Sequence, residues 1–259
     1  IGTPLALYIF YKSGSTAKGY HEGAVIRRGR QMQGDDLRQH GIATLQSRDP
    51  AFAVEPFLER VRSAFTQIQE AWSHQDMVPV RHFVSDGIVE RFSLQFEEQQ
   101  DSGYRNQMDN IVIHSASLVE VRSDAVFDTV TVVIQASAID YYVHVKTGKR
   151  VSGSRGSEPF TEYWSFLRRP GAQTLAQGGL IEGNCPNCGA ALQLNEAAKC
   201  EACGALVRNG EYDWVLTEIT QACEWRVRED HEVPGLRALQ RTDPGFSLQH
   251  VEDRASVMF

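Results

Sequence analysis

Long hydrophobic runs are missing from this sequence. Its most apolar stretch, residues 1–11 (IGTPLALYIFY), is only 11 residues long, whereas a helix that crosses a bilayer needs about 20. The stretch ends in the aromatic residues Tyr8, Phe10 and Tyr11 and leads into basic residues, as at the cytoplasmic exit of a membrane helix. We therefore expect residues 1–11 to be the end of a transmembrane segment. A buried strand is the alternative.

Basic residues are scarce after residue 48. Residues 1–48 hold seven basic and three acidic residues, a net charge of +4, so residues 49–259 carry −11 in a chain whose total is −7. A surface that binds nucleic acid must be basic, because it has to neutralise phosphates. The acidic body therefore argues against nucleic acid as the main partner. We interpret the polar, glycine-rich residues 12–47 as a basic tether or an amphipathic arm, and not as a core element.

Cysteine is also scarce, which excludes a small secreted domain held together by disulfides. Four of the five cysteines form two Cys-x-x-Cys pairs, eleven residues apart, each followed by glycine and alanine. This spacing is typical of a metal-binding knuckle, and four thiolates complete the coordination of a structural zinc ion. The predicted zinc ligands are Cys185, Cys188, Cys200 and Cys203. They lie in a ribbon over about residues 181–210.

Other uses of these cysteines are a redox pair or an iron–sulfur centre. A redox Cys-x-x-Cys is usually single and opens a helix, whereas here two matched pairs each end in glycine. The glycine suits the unusual backbone angles that such a bend needs. The segment is also too short to fold without a staple, so we expect metal binding to fold it. Cys223 is left over and is predicted to be a packed thiol.

Apolar periodicity predicts the helices. Residues 49–72 follow the i, i+3, i+4, i+7 spacing of one buried helix face, and a second helix is predicted over residues 78–100. A short helical piece is predicted at residues 104–108. Alternating residues then predict strands over residues 111–121, 130–138, 161–167 and 213–219. Helices followed by meandering strands predict an α+β domain with helices packed on one antiparallel sheet.

No catalytic constellation is visible. The acid–base groups available to an enzyme of this fold would be His82, His114, Asp128, Asp140 and Glu162. None of them stands at a recognisable spacing from a nucleophile and an orienting group. Glu162 is expected to pair with an arginine. We therefore expect a binding protein and not an enzyme.

The opening of the first helix is repeated near the end of the chain. Asp-Pro-Ala-Phe at residues 49–52 aligns with Asp-Pro-Gly-Phe at residues 243–246, and the apolar spacing matches onward at the same offset. Such a repeat determines the domain count. The expected domains are residues 48–223, a linker at 224–241 and the start of a second, truncated copy at 242–259.

The order of these landmarks resembles the Tim44-like domain, named after a subunit of the mitochondrial inner-membrane import translocase. The resemblance covers about residues 48–223 and again residues 243–259. The motifs that carry it are Asp49-Pro50-x-Phe52, Glu162-x-Trp164-x-Phe166-x-Arg168 and Trp214-x-Leu216-x-x-Ile219. One departure is clear: the last two strands are normally joined by a short turn, whereas here residues 172–211, with the cysteines, intervene.

The resemblance implies a cone of the nuclear-transport-factor-two-like kind, with helices on a curved antiparallel sheet. It also implies membrane association and an adaptor role. We therefore expect a membrane-tethered, non-catalytic scaffold with a protein partner, in protein transport or membrane-protein assembly. It would lie at the inner (cytoplasmic) membrane with its domains facing the cytoplasm. The alternatives are a cone that binds a small molecule or lipid, a catalytic cone, and a ribosome- or nucleic-acid-associated adaptor.

Overall fold

The computed structural model describes residues 24–124, 126–176, 178–192, 199–225 and 235–243, with the single residues 246 and 251. Three helices pack on one curved antiparallel sheet that is not closed, which confirms the predicted α+β fold. The helices are α1 (Ala24–Arg48), α2 (Val54–His74), α3 (Asp86–Ser102) and the short α4 (Leu236–Thr242), with a 3₁₀ helix at Val78–Val80. The strands are β1 (Tyr104–Ser123), β2 (Asp128–His144), β3 (Arg150–Gly153), β4 (Glu158–Arg168) and β5 (Val215–Gln221).

The sheet has the order β1-β2-β4-β5, and all of these pairs are antiparallel. β1 and β2 form a long hairpin that runs from the pair Tyr104 and His144 to the pair Ser123 and Asp128. β3 pairs with the end of β2 that lies beyond β4. Because β4 and β5 are neighbours, the segment that carries the cysteines lies between two adjacent strands.

The core lies between α2 and the sheet. The apolar stripe predicted for α2 is buried throughout: Phe57, Leu58, Val61, Ala64, Phe65, Ile68 and Trp72. From β4, Trp164 and Phe166 are fully buried on the facing side, and the rings of Phe65 and Trp164 lie 5.3 Å apart. Each large side chain buried in this way stabilises the fold by roughly 1.5–3 kcal/mol before entropy is counted. The helix begins at Val54, five residues later than predicted.

The helix predicted over residues 78–100 is divided. Residues 83–85 instead run beside β5, where the Leu216 N–H donates to the Phe83 carbonyl at 2.8 Å and the Ser85 N–H donates to the Leu216 carbonyl at 2.8 Å. α3 begins only after Ser85, whose Oγ accepts a hydrogen bond from the Ile88 N–H at 3.4 Å. The prediction of one continuous helix is therefore wrong. Residues 83–85 form backbone hydrogen bonds with the edge strand β5 in place of helical ones.

One further sequence prediction is wrong. Residues 104–108, predicted as a helix, are the start of β1 and pair with residues 140–144 of β2. Gly103, with φ 79°, ends α3 and turns the chain directly into the strand. In addition, no strand was predicted between residues 138 and 161, where the structure has β3.

The predicted tether ends in a helix that packs on the sheet. Leu45 of α1 is fully buried. At Gly41 the helix approaches β1 so closely that an added Cβ would lie 2.3 Å from the Val121 carbonyl oxygen. The packed unit therefore begins before residue 48, within the stretch that was interpreted as a tether.

The predicted membrane segment, residues 1–11, lies outside the described residues. Among the helices that are described, none combines the length and the apolar character that crossing a membrane requires.

Candidate metal centre

The two Cys-x-x-Cys turns share one backbone arrangement. In the first, the Cys185 N–H donates to the Ala190 carbonyl at 2.8 Å and the Gly189 N–H donates to the Cys185 carbonyl at 2.8 Å. The equivalent bonds in the second turn measure 2.9 and 2.8 Å. Gly189 and Gly204 both have φ 75°, in the left-handed region that glycine adopts without strain. The glycines therefore have the role that the sequence predicts for them.

The turns bring four thiols together. The sulfur atoms of Cys185, Cys188, Cys200 and Cys203 all lie within 4.8 Å of one another. Those of Cys185 and Cys203 are 3.7 Å apart. A tetrahedral ion with zinc–sulfur distances of about 2.3 Å holds its sulfurs about 3.8 Å apart. The four cysteines thus fit a four-coordinate site, which would leave no open position for a substrate.

Each pair has one buried and one exposed cysteine. The buried members are Cys185 and Cys200, and the exposed members are Cys188 and Cys203. Burial raises the pKa of Cys185 to about 12. A hydrogen bond from the Asn187 side chain lowers the pKa of Cys203 to about 6. A coordinated metal ion deprotonates its thiol ligands outright, so these differences would not prevent coordination by all four.

The segment around the thiols packs into the core of the domain. Leu180, Ile181 and Val207 are at most 2% exposed. They belong to the same apolar cluster as Trp214 and the buried face of α2, and so do Cys185 and Cys200. The inserted segment is therefore a wall of the domain and not a separate body.

An ionic cluster joins this segment to α2. The Arg60 guanidinium donates to Glu182 at 2.7 and 3.0 Å, and to Asp213 at 3.0 and 2.7 Å. Burial opposes the charge of Arg60, but hydrogen bonds and attraction from Asp213 and Glu182 outweigh it and raise its pKa. The same carboxylates accept backbone bonds, Glu182 from Gly179 at 2.6 Å and Asp213 from Leu180 at 2.8 Å. The cluster therefore holds the turn before Cys185 against the helix.

A cavity of about 340 Å³ lies beside the ionic cluster. Its walls include Phe52, Phe57 and Trp214 from the domain, and Leu175, Gly178 and Glu182 from the inserted segment. The cavity is therefore bounded by both parts of the chain.

Two residues of the sequence motifs form a buried ion pair. Arg168 Nη1 donates to Asp49 Oδ2 at 2.8 Å, and both side chains are 1% exposed. The guanidinium lies 4.4 Å from the centre of the Trp214 ring, and Thr174 donates to Asp49 through its N–H and its hydroxyl. Burial opposes the ionisation of Asp49, but the bonds from Thr174 and Arg168 outweigh it and lower its pKa.

The five candidate acid–base groups are not assembled into one site. Asp128 and Asp140 lie at opposite ends of β2, roughly 40 Å apart at about 3.3 Å per residue. His114 Nε2 forms a hydrogen bond with Ser137 Oγ at 2.8 Å. The Nε2 atom of His82 is buried without a hydrogen-bond partner, and burial lowers the pKa of this histidine.

The three candidate carboxylates accept hydrogen bonds from nearby side chains. The donors are Arg48 and Ser123 for Asp128, and Asn106 for Asp140. Glu162 accepts from Trp164 Nε1 at 2.9 Å and from Gln221 Nε2 at 3.1 Å. No hydrogen bond joins Glu162 to an arginine among the described residues, but the charge of Arg91 attracts Glu162 and favours its ionised form. Burial raises the pKa of both Asp140 and Glu162.

The fifth cysteine does not join the four. Cys223 is exposed, so its prediction as a packed thiol is wrong.

A family model matches much of this chain. The model of the Tim44-like domain matches residues 38–176, more than half of the chain. The match begins within α1 and ends before the four cysteines. Among solved structures, the intermembrane space region of the chloroplast protein ARC6 matches with a TM-score of 0.32 and 10% identity, over 45% of this chain and 86% of that one. No curated protein matches the chain.

Proposed function

Since this chain belongs to the Tim44-like domain family, we propose that it is a membrane-tethered, non-catalytic scaffold in protein transport or membrane-protein assembly. The observation that carries the proposal is the family match, which extends from α1 to beyond β4. Residues 1–11 would be the end of the membrane anchor. The domain would then lie at the inner (cytoplasmic) membrane and face the cytoplasm.

The polar side chains support binding over catalysis. The candidate carboxylates accept local hydrogen bonds, and Asp128 and Asp140 are far apart on β2. The partner would be another protein, because the acidic charge of residues 49–259 disfavours phosphate binding.

The four cysteines would hold a structural zinc ion. The distances between their sulfurs and the matched knuckle turns support this assignment. Zinc in a four-thiolate site takes no part in a reaction, and here it would join residues 178–192 to residues 199–207. Apart from its contacts with the domain core, this stretch has little apolar core of its own, so such a staple would stabilise it.

We further propose that the end of the chain begins a second domain of the same kind. The Asp243 N–H donates to the Leu239 carbonyl at 2.7 Å and the Phe246 N–H donates to the Asp243 carbonyl at 3.0 Å; the equivalent bonds around Asp49 measure 2.9 and 3.0 Å. The match also extends upstream of the aspartates. At the same offset, Gly235, Leu239 and Gln240 repeat Gly41, Leu45 and Gln46. The second copy would thus start near residue 235, inside the expected linker.

Membrane fractionation tests the proposed function. The comparison is between the whole chain and a variant without residues 1–23, which retains α1. We expect the whole chain to sediment with membranes after a high-salt wash and the shortened chain to stay in the supernatant. A matched control, Lys12→Gln with Lys18→Gln, should still sediment, because the anchor would be apolar.

The other outcomes separate the alternatives. Sedimentation of neither form contradicts the membrane tether. Salt-sensitive binding of RNA by the purified chain would support the ribosome- or nucleic-acid-associated adaptor instead. Crosslinking at the membrane, followed by identification of the captured protein, tests the scaffold role.

A further inference from the structure

The cavity beside Arg60 has one wall that belongs to the cysteine segment and one that belongs to the family domain. We propose that the metal site acts as a latch for this wall: metal in the four thiolates keeps residues 178–183 fastened on α2, and metal loss releases them and exposes the apolar core beneath. This inference rests on the proposed zinc site.

The first link runs from the thiols to the turn. The turn at residues 179–183 leads directly into Cys185, and the Asn184 N–H donates to the Gly179 carbonyl at 2.9 Å. On the other side of the knuckle, the Leu192 N–H donates to the Gly183 carbonyl at 2.8 Å. Coordination of the first cysteine pair would therefore also restrain the turn.

The second link runs from the turn to α2. Leu180 and Ile181 are 0% and 2% exposed. The Ile181 carbonyl accepts a bond from the Gln67 side chain of α2 at 3.2 Å. Glu182 is the exposed member of the ionic cluster and bonds to Arg60 at 2.7 and 3.0 Å. Movement of the turn would break these contacts together.

The second knuckle has its own attachment to the domain. Arg208, which follows it, forms an ion pair with Asp86 at the start of α3 at 2.8 Å and donates to the Arg81 carbonyl at 3.3 Å. The segment is thus attached to both α2 and α3, and the metal would join the two knuckles between these attachments. Within the described part of the segment, each knuckle has a single isolated β-bridge, Asn184 with Ala191 and Lys199 with Leu206.

Because each knuckle has a single β-bridge in the described part of the segment, a metal ion would contribute much of what holds the two knuckles together. Cys185 and Cys200 are buried in the apolar cluster of the domain. Without a cation, the side-chain contacts between the two knuckles are weak ones to sulfur: the Sγ atoms of Cys185 and Cys203 lie 3.7 Å apart, and the Asn187 side chain donates to Cys203 at 3.5 Å. The ionic cluster then has two carboxylates for one guanidinium, an arrangement that depends on close geometry to offset desolvation.

Hydrogen exchange measured by mass spectrometry tests the latch on the whole chain. The protein is compared before and after zinc removal by a chelator, and again after zinc is restored. We expect a reversible loss of protection in residues 178–183 and also in residues 57–68 of α2. Residues 104–118 of β1 should keep their protection, because they lie at the other edge of the sheet.

A variant separates the latch from the metal site. Glu182→Gln retains the four cysteines, so its zinc content should be unchanged while protection of residues 57–68 falls. The matched control is Glu201→Gln, the same change at an exposed residue of the second knuckle, and its exchange should be that of the native chain.

Each other result has a distinct meaning. Zinc loss that affects only residues 185–207 would overturn the latch and leave the structural zinc site standing. Loss of protection throughout the chain, β1 included, would also overturn it, because the metal would then support the whole fold. A purified chain without metal would overturn both proposals.

Discussion

At the scale of single residues, the charged side chains that are buried in the described part of the chain have close polar partners. Asp49 and Arg168 illustrate this, since the pair is 1% exposed on each side and Thr174 adds two further donors. Removing one member of a buried pair costs about 3–5 kcal/mol, because the other is left uncompensated. The charged residues of the family motifs therefore have a structural role.

We predict that Arg168→Met lowers the free energy of unfolding by about 3–5 kcal/mol. The variant leaves the buried Asp49 carboxylate without its cation and Trp214 without the guanidinium above it. Urea unfolding of the whole chain measures the loss. Arg169→Met is the matched control, since Arg169 is exposed, and it should change stability by less than about 1 kcal/mol. Equal losses in both variants would contradict the role of the pair.

The contribution of Glu162 to stability is expected to fall as the pH rises, whereas the contribution of an ion-paired aspartate increases with pH. Burial raises its pKa above the ordinary value of 4.5, so the native state holds this proton more tightly than the unfolded chain does. Its contribution is fully present below that ordinary value and is lost as the pH rises through the native pKa. The stability of Glu162→Gln relative to the native chain should therefore increase with pH from about pH 4 to pH 7. Urea unfolding at a series of pH values checks this, and a constant difference would contradict it.

The sequence contains a signal for one of the two main ionic contacts and none for the other. Trp164, Phe166 and Arg168 alternate along one face of β4, and an arginine on a core-facing position indicates a buried anion. That signal could have identified the Asp49 partner. No comparable signal connects Arg60 with Glu182 and Asp213, because the partners are 122 and 153 residues away.

At the scale of elements, periodicity predicted the helices and strands whose own residues determine their conformation. α2 and the β1–β2 hairpin have strong 3.6-residue and two-residue patterns and were found where expected. Residues 83–85 and 104–108 were mistaken because bonds to distant strands determine their conformation. The helical part of the tether was missed because α1 has few large apolar residues, and at Gly41 it packs through backbone contact.

Two of the glycines within α1, Gly41 and Gly34, give a matched pair of variants. Gly41→Ala should destabilise the protein by about 1–3 kcal/mol, because its Cβ would meet the Val121 carbonyl at 2.3 Å. Gly34 has nothing within 4 Å of an added Cβ, so Gly34→Ala should stabilise the helix by roughly 0.5–1 kcal/mol. Thermal unfolding of both variants measures the difference. Stabilisation by both changes would show that α1 does not pack against β1 in this way.

At the scale of the whole molecule, the helix–sheet core and the inserted segment are built from different kinds of contact. The helix–sheet core is apolar, whereas the segment between β4 and β5 brings four thiols together and contacts that core and an ionic cluster. The sequence predicted the four cysteines from spacing alone, since two matched knuckles need no long-range information. It did not predict their packing on α2, which depends on the path of residues 172–183 in three dimensions.

The central claim is that the inserted segment is held by a structural zinc ion, and metal analysis of the purified chain tests it most directly. We predict about one zinc ion per chain. Cys185→Ser should reduce the zinc to background, and Cys223→Ser, which removes only the exposed fifth cysteine, should leave it unchanged. Zinc at background in the native chain, iron in its place, or undiminished zinc in Cys185→Ser would contradict the claim.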